Sequence, residues 1–225
     1  MKLAILQPNF FPPKSYYDLV QKMDKVIFLD DVFYNNKSWV NKTLLKVKSK
    51  DYYFRVPINN LDDGERSQIK EIKIKEGEKW KRHFIKMVHL EHNDCYNYPA
   101  AINLVKSIIQ LPVDNVCHLS AYSVFRVCSA LGCDTEFSFS SVKYGNIKGS
   151  VESKILNICK KEGATTYYSL YKNNLNKNIF LKNGINLSHF VSYESKYSFI
   201  DSLMNTRSYY PLLKKECNLF QNERT

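Results

Sequence analysis

Seven glycines in 225 residues leave this chain little of the punctuation that phosphate-binding loops need. It contains no GxGxxG fingerprint, no GxxxxGK[ST] loop and no GxSxG elbow, which excludes the usual dinucleotide cradle, the P-loop and the α/β-hydrolase nucleophile turn. Hexapeptide repeats and the glycine-bearing pyrophosphate loop of common coenzyme-A acetyltransferases are missing as well. No CxxC pair occurs. The six cysteines, Cys95, Cys117, Cys128, Cys133, Cys159 and Cys217, stand far apart and read as mostly buried thiols in a reducing compartment. A single helix cannot close His83, His89 and His92 on one ion, and "HxxHxxC" ending at Cys95 lacks a second ligand pair, so no metal site is expected. Apolar runs stay far short of the roughly 18 residues of a membrane span, and the run before Gln7 is too short for a signal sequence. The expected location is the cytoplasm.

What is present points to a folded protein. Hydrophobic residues make up 44% of the chain, with 16 Tyr and 13 Phe, enough to build a core. We expect a single α/β domain over 1–225, with 78–132 as a helical subdomain or insertion. The net charge of +11 directs attention to anionic partners: nucleic acid, an anionic membrane face or phosphorylated small molecules. Most of the excess is lysine spread along the chain. Only "EKWKRHFIK" concentrates it, with aromatic and basic residues interleaved at helical spacing.

Periodicity sets the order of elements. Leu3–Leu6 reads as a short buried strand ending at Pro8, "SYYDLVQKMD" as a helix with Ser15 as its N-cap, and "KVIFLDDV" as a second strand. A crossover this short favours parallel neighbours. Two strands, "DYYFRVPI" and "IKEIKIK", follow the loop "FYNNKSWVNK". Three helices then run from Glu78 to Gly132, the glycine serving as C-cap. "TEFSFSS" (strand), "SVESKILNICKKEG" (helix) and "ATTYYSL" (strand) form a second βαβ unit; "GINLSHF" adds a strand, and "SFIDSLMNT" with "YYPLL" a helical tail. The fold class expected is α/β, a Rossmann-like, mostly parallel sheet with a helical insertion or layer of about three helices.

Ligands of open α/β sheets gather beyond the carboxyl ends of the strands, which here carry Gln7 and the pair Asp30 and Asp31. Neighbouring strand residues point to opposite faces, so at most one aspartate faces a shared cleft unless the strand has already ended. Either carboxylate suits an amine, sugar hydroxyls or work as a base; the plain alternative is a loop cap beside a solvated charge. Tyr34, Trp39, Asn41 and Lys42 follow within one short span. Flat rings with adjacent donors suit a sugar or base bearing phosphate, whereas simple anchoring of the loop is the structural alternative. On the helix around Trp80, a 100° step groups Trp80, Phe84, Met87 and Leu90, with His83 at the edge and His89 and His92 opposite. That edge makes His83 a candidate acid/base group, set against the commoner role of a satisfied core histidine.

The stretch "LQPNFFPPKSYYDLVQKMDKVIFLDDVFYNNKSWVNKTLL" resembles the WbqC-like family, in Gln7-Pro8, Phe11-Pro12, Tyr17, Asp24, Asp30-Asp31-Val32, Tyr34, Trp39 and Asn41. Weaker agreement continues through "EKWKRHF", "ESKILNICKKEGATTYY" and "FLKNGINL". Lys42 and Lys154 stand where the family is richer in Arg, turning a bidentate anion contact into a point-charge contact. The resemblance implies a bacterial protein of surface-polysaccharide (O-antigen) biosynthesis that acylates the amine of a nucleotide-linked amino sugar, with an amino acid such as glycine among the acyl groups. It implies an activated donor (thioester, adenylate or aminoacyl-tRNA) and no certain cofactor. In that reading Asp30, Asp31 or His83 takes the ammonium proton, Gln7 and Asn41 hold the sugar or the oxyanion, Tyr34 and Trp39 form a platform, and Lys42, Lys79 or Arg82 meets phosphate; Phe11, Tyr17 and Trp80 complete the substrate-binding set. The order of strand, proline-shaped loop, helix and strand also resembles the first βα loop of nucleotidylyltransferase-type folds, without that loop's paired histidines. Nucleotidyl transfer is therefore one alternative, and a non-enzymatic nucleotide- or RNA-binding module is another.

Overall fold

A computed structural model describes residues 1–59, 67–147, 149–170, 175–191 and 196–209. Its centre is a sheet of five parallel strands: β1 (Lys2–Leu6), β2 (Lys25–Phe28), β5 (Glu136–Phe139), β6 (Thr166–Ser169) and β7 (Asn186–His189), in spatial order β5-β2-β1-β6-β7. Counted along the chain this is the 3-2-1-4-5 order of a doubly wound Rossmann-like sheet, with its reversal between β1 and β6. β1 has neighbours on both sides, so Leu3 to Leu6 are all buried, and alternate residues enter different cores. Ala4, Leu6, Val26 and Phe28 pack with α1 (Lys14–Val20) and the helical layer. Leu3, Ile5, Ile27 and Leu29 pack with the side of the sheet covered by α6 (Val151–Lys161) and α7 (Lys177–Lys182).

The expected three-helix layer is α2 (Lys79–His92), α3 (Tyr98–Ile109) and α4 (Val116–Ala130). Gly132 ends it at φ 72°, with Cys133 N donating to Cys128 O and Gly132 N to Ser129 O, a backbone closure that favours glycine. The phase of α2 differs from the sequence reading. Its buried residues are Phe84, Val88 and His92, one turn apart, while Leu90 and His83 are exposed. His92, assigned to the opposite side, lies inside with Nδ1 donating to Val88 O at 3.0 Å and Nε2 3.3 Å from Asp201 Oδ1. A short helix, α8 (Phe199–Asn205), packs on α1 and α3.

Other readings change as well. β3 (Lys42–Val47) pairs antiparallel with β4 (Lys50–Arg55) in a separate two-stranded hairpin, of which only the second strand was expected. "IKEIKIK" is a 3₁₀ turn at Ile69–Glu71 with isolated bridges at Lys73 and Ile74, because its apolar residues pack inward without a neighbouring strand to form a ladder. Helix α1 starts at Lys14, after Pro13, so Ser15 lies inside it. A five-residue helix, α5 (Ser140–Tyr144), follows β5 directly. Among the described residues no helix is long and apolar enough to cross a membrane. Tyr210 to Leu213 of the expected tail, and Cys217, lie outside the described residues.

Candidate functional site at the carboxyl edge of the sheet

β1 runs out at Leu6, where the strand order reverses, and the chain continues as Gln7-Pro8-Asn9-Phe10-Phe11-Pro12-Pro13. Phe11 adopts φ 40°, a strained conformation for an aromatic residue that persists only where its surroundings impose it. Those surroundings come from distant parts of the chain. Phe11 N donates to Ser123 Oγ at 3.0 Å, and Phe11 O accepts from Thr43 Oγ1 at 2.8 Å and Ser198 Oγ at 2.9 Å. Phe10 N donates to Trp39 O, Phe199 N donates to Pro12 O, and Phe84 packs 5.3 and 5.6 Å from the Phe10 and Phe11 rings. On this fixed loop Gln7 is half-buried; its carbonyl accepts from Tyr16 OH, and its carboxamide has no hydrogen-bond partner among the described residues. Asn9 is buried, and its Oδ1 has no partner there either.

β2 ends at Phe28, two residues before the paired aspartates, so strand alternation no longer separates them. Both turn to the start of α5. Asp30 Oδ1 accepts from Ser141 N at 2.8 Å and Ser140 Oγ at 3.0 Å, and its Oδ2 accepts from Ser141 Oγ at 2.5 Å. Ser140 Oγ also lies 2.5 Å from Asp31 Oδ1, so one hydroxyl proton serves two carboxyl groups. Lys154, reaching in from α6, forms an ion pair with Asp31 Oδ2. Asp30 is 3% exposed and has neutral donors only. With both carboxyl groups ionised, the set holds two negative charges and one positive. Burial first, and then the charge of Asp30, push the thiol of Cys117, in the first turn of α4, up.

The remaining candidates sort into separate places. Tyr34 OH donates to Asn41 Oδ1 at 2.9 Å and Asn41 Nδ2 donates to Val56 O at 3.1 Å, so this pair braces the loop before the hairpin. Partial burial raises the Tyr34 hydroxyl pKa, with Arg55 opposing. Trp39 is half-exposed, its ring 6.1 Å from Tyr53 and 4.7 Å from Lys42 Nζ, while Lys42 Nζ donates to Lys37 O. Desolvation, helped by the Arg55 charge, lowers the Lys42 pKa. His83 Nε2 shares a 2.8 Å hydrogen bond with Tyr52 OH on the hairpin; no contact among the described residues joins it to either aspartate. Lys79, Trp80 and Arg82 lie on α2, with Lys79 and Arg82 exposed. Phe11 and Tyr17 are 0% exposed, so their rings are core that shapes the loop and offer no surface to a ligand.

A profile of the WbqC-like protein family matches residues 7–207, a span that includes the strained loop, both aspartates, Ser140, Ser141 and Lys154. The chain belongs to the WbqC-like protein family. A relative from Mycobacterium tuberculosis (strain ATCC 25618 / H37Rv), described as "Uncharacterized protein Rv1507c", is 25% identical over 169 residues, covering 75% of this chain and 71% of that protein. No solved structure matches the chain. For this WbqC-like protein, sequence reasoning singled out Gln7, Asp30 and Asp31 and noted Lys154 only as a substitution for Arg. Asn9, Ser140 and Ser141 were missed. Their one signal was position, since Asn9 follows the Gln-Pro pair and the serines end the run "FSFSS".

Proposed function

We propose that this WbqC-like protein transfers an acyl group, aminoacyl groups such as glycyl included, from an activated donor to the amine of a nucleotide-linked amino sugar used for surface polysaccharide. The observation that carries the reading is Asp30. It is a buried carboxylate at the carboxyl edge of a Rossmann-like sheet, beside an aspartate whose lysine partner is already engaged. An ammonium group entering there neutralises the excess charge. The amine nitrogen attacks the acyl carbonyl, forming the C–N bond; the proton passes from nitrogen to the Asp30 carboxylate, and the donor's leaving group departs with the electrons of the broken acyl bond. Gln7 offers the developing oxyanion an uncommitted carboxamide N–H. Trp39 and Lys42 supply a ring face and a cation for the nucleotide part of the substrate.

The test incubates the protein with a dTDP-linked amino sugar and, in turn, an acyl thioester, an acyl adenylate and an aminoacyl-tRNA, and looks by mass spectrometry for the amide. Formation of amide that disappears in Asp30→Asn supports the reading. Absence of product with every donor, in protein shown to be folded, defeats it. The sheet order also suits a nucleotide at the β1–β6 reversal; magnesium-dependent pyrophosphate release from a nucleoside triphosphate would favour nucleotidyl transfer instead.

A further inference from the structure

α2 and α3 are joined by a short connection and run in opposite directions, with His89 Nδ1 and Tyr98 OH 2.7 Å apart near the turn. Between them lies an open groove of about 580 Å³. Among the described residues its cations are Lys81, Arg82 and Lys86 from α2 and Lys106 from α3, against a single carboxylate, Glu78. Lys81 Nζ pairs with Glu78 at 2.9 Å and so uses that carboxylate. Arg82, Lys86 and Lys106 form no ion pair or side-chain hydrogen bond among the described residues. Arg82 and Lys86 are one helical turn apart on the same face, where like charges destabilise a helix, and Lys106 adds a third cation from across the groove. Lysine is spread widely in this sequence, but here the fold gathers three uncommitted cations around one hollow. The volume is in the range of small-molecule sites.

We propose that this groove binds a ligand bearing two linked phosphates, a nucleoside diphosphate or pyrophosphate ester. Arg82 presents a planar fork to one phosphate, Lys86 and Lys106 neutralise the next, and the His89–Tyr98 pair gives the rest of the ligand a flat polar neighbour. The proposal stands without the acyl-transfer reading, since it uses none of the residues at the sheet edge. Calorimetric titration of the full chain with inorganic pyrophosphate and with ADP, at low salt, tests it. Arg82→Gln/Lys106→Gln is compared with the charge-matched Lys160→Gln/Lys182→Gln on α6 and α7, each checked for fold by circular dichroism. The expected result is saturable binding, weakened roughly tenfold or more in the groove variant and within about twofold of wild type in the control. Equal weakening in both variants, or no binding of either anion, overturns it. Salt-steep binding of a single-stranded RNA without binding of pyrophosphate or ADP also overturns it, in favour of a nucleic-acid surface.

Discussion

Replacing Lys154 with methionine keeps the side-chain length and removes the one cation paired with Asp31 among the described residues. Both partners are enclosed: the Lys154 side chain is 9% exposed and that of Asp31 is 4%. Exposed ion pairs are worth about 0–1 kcal/mol, but removing one member of a buried pair leaves an uncompensated charge and costs about 3–5 kcal/mol. Here the orphaned carboxylate shares a single serine hydroxyl with a second carboxylate, Asp30, so the upper half of that range is expected. Against a total stability of about 5–15 kcal/mol this is a large fraction. With a urea m-value of about 2–3 kcal/mol/M, the midpoint falls by roughly 1.3–2.5 M. Adding Asp31→Asn should recover part of the loss, since the carboxylate that lost its partner is then removed while Asp30 keeps the neutral donors it has in the wild type, and the four-member cycle reads the coupling directly. A loss below about 1 kcal/mol in Lys154→Met, with no coupling to Asp31→Asn, would show that solvent reaches the pair and would undo the charge argument for Asp30.

Three further perturbations probe the same framework. Asp30→Asn, in protein shown to be folded, should lower kcat for the proposed amide formation by about 10²–10⁴, the usual contribution of a positioned acid/base group; a loss confined to KM would place Asp30 in binding alone. Ser123→Ala removes the acceptor of Phe11 N and should cost about 1–3 kcal/mol, because a buried amide is left unsatisfied; a change within error would mean that water or a shift of the loop replaces the hydroxyl. Burial raises the Glu162 carboxyl, but hydrogen bonds and charge from Lys143 and Lys25 outweigh it and leave the pKa below its ordinary 4.5. A carboxylate with a depressed folded pKa stabilises above its unfolded pKa and loses that contribution as pH falls through the folded one, so stability should drop below about pH 4.5 in the wild type. Glu162→Gln should flatten that part of the curve, and an identical acid limb in both proteins would assign it to other groups.

The parallel strands were legible because β1 and β2 are short apolar runs bounded by polar or proline residues. The hairpin was not. β3 holds its apolar pair as Leu44-Leu45 without alternation, and its turn, Lys48-Ser49, takes φ 49° and 62° with no glycine or asparagine to announce it. The paired aspartates stood out as a local motif, whereas Ser140 and Lys154 meet them from 110 and 123 residues away, a distance that periodicity cannot bridge. Helical phase misplaced His83 and His92, since weighting Trp80 and Leu90 as core rotated the face by part of a turn. Tertiary packing chose Phe84, Val88 and His92 instead.

The strained loop after β1 is anchored by Thr43 in β3, Ser123 in α4 and Ser198 at the N-cap of α8, residues that touch no part of the aspartate cluster in the described contacts. The position of Gln7 is consequently a property of the whole chain. Cutting the protein before Ser198 would delete nothing from the sheet edge, yet it would remove one acceptor's donor at Phe11 O and the Phe199 N–H that holds Pro12. The C-terminal segment is part of the foundation of the site, and a domain boundary drawn before it would divide what the loop needs to keep its shape.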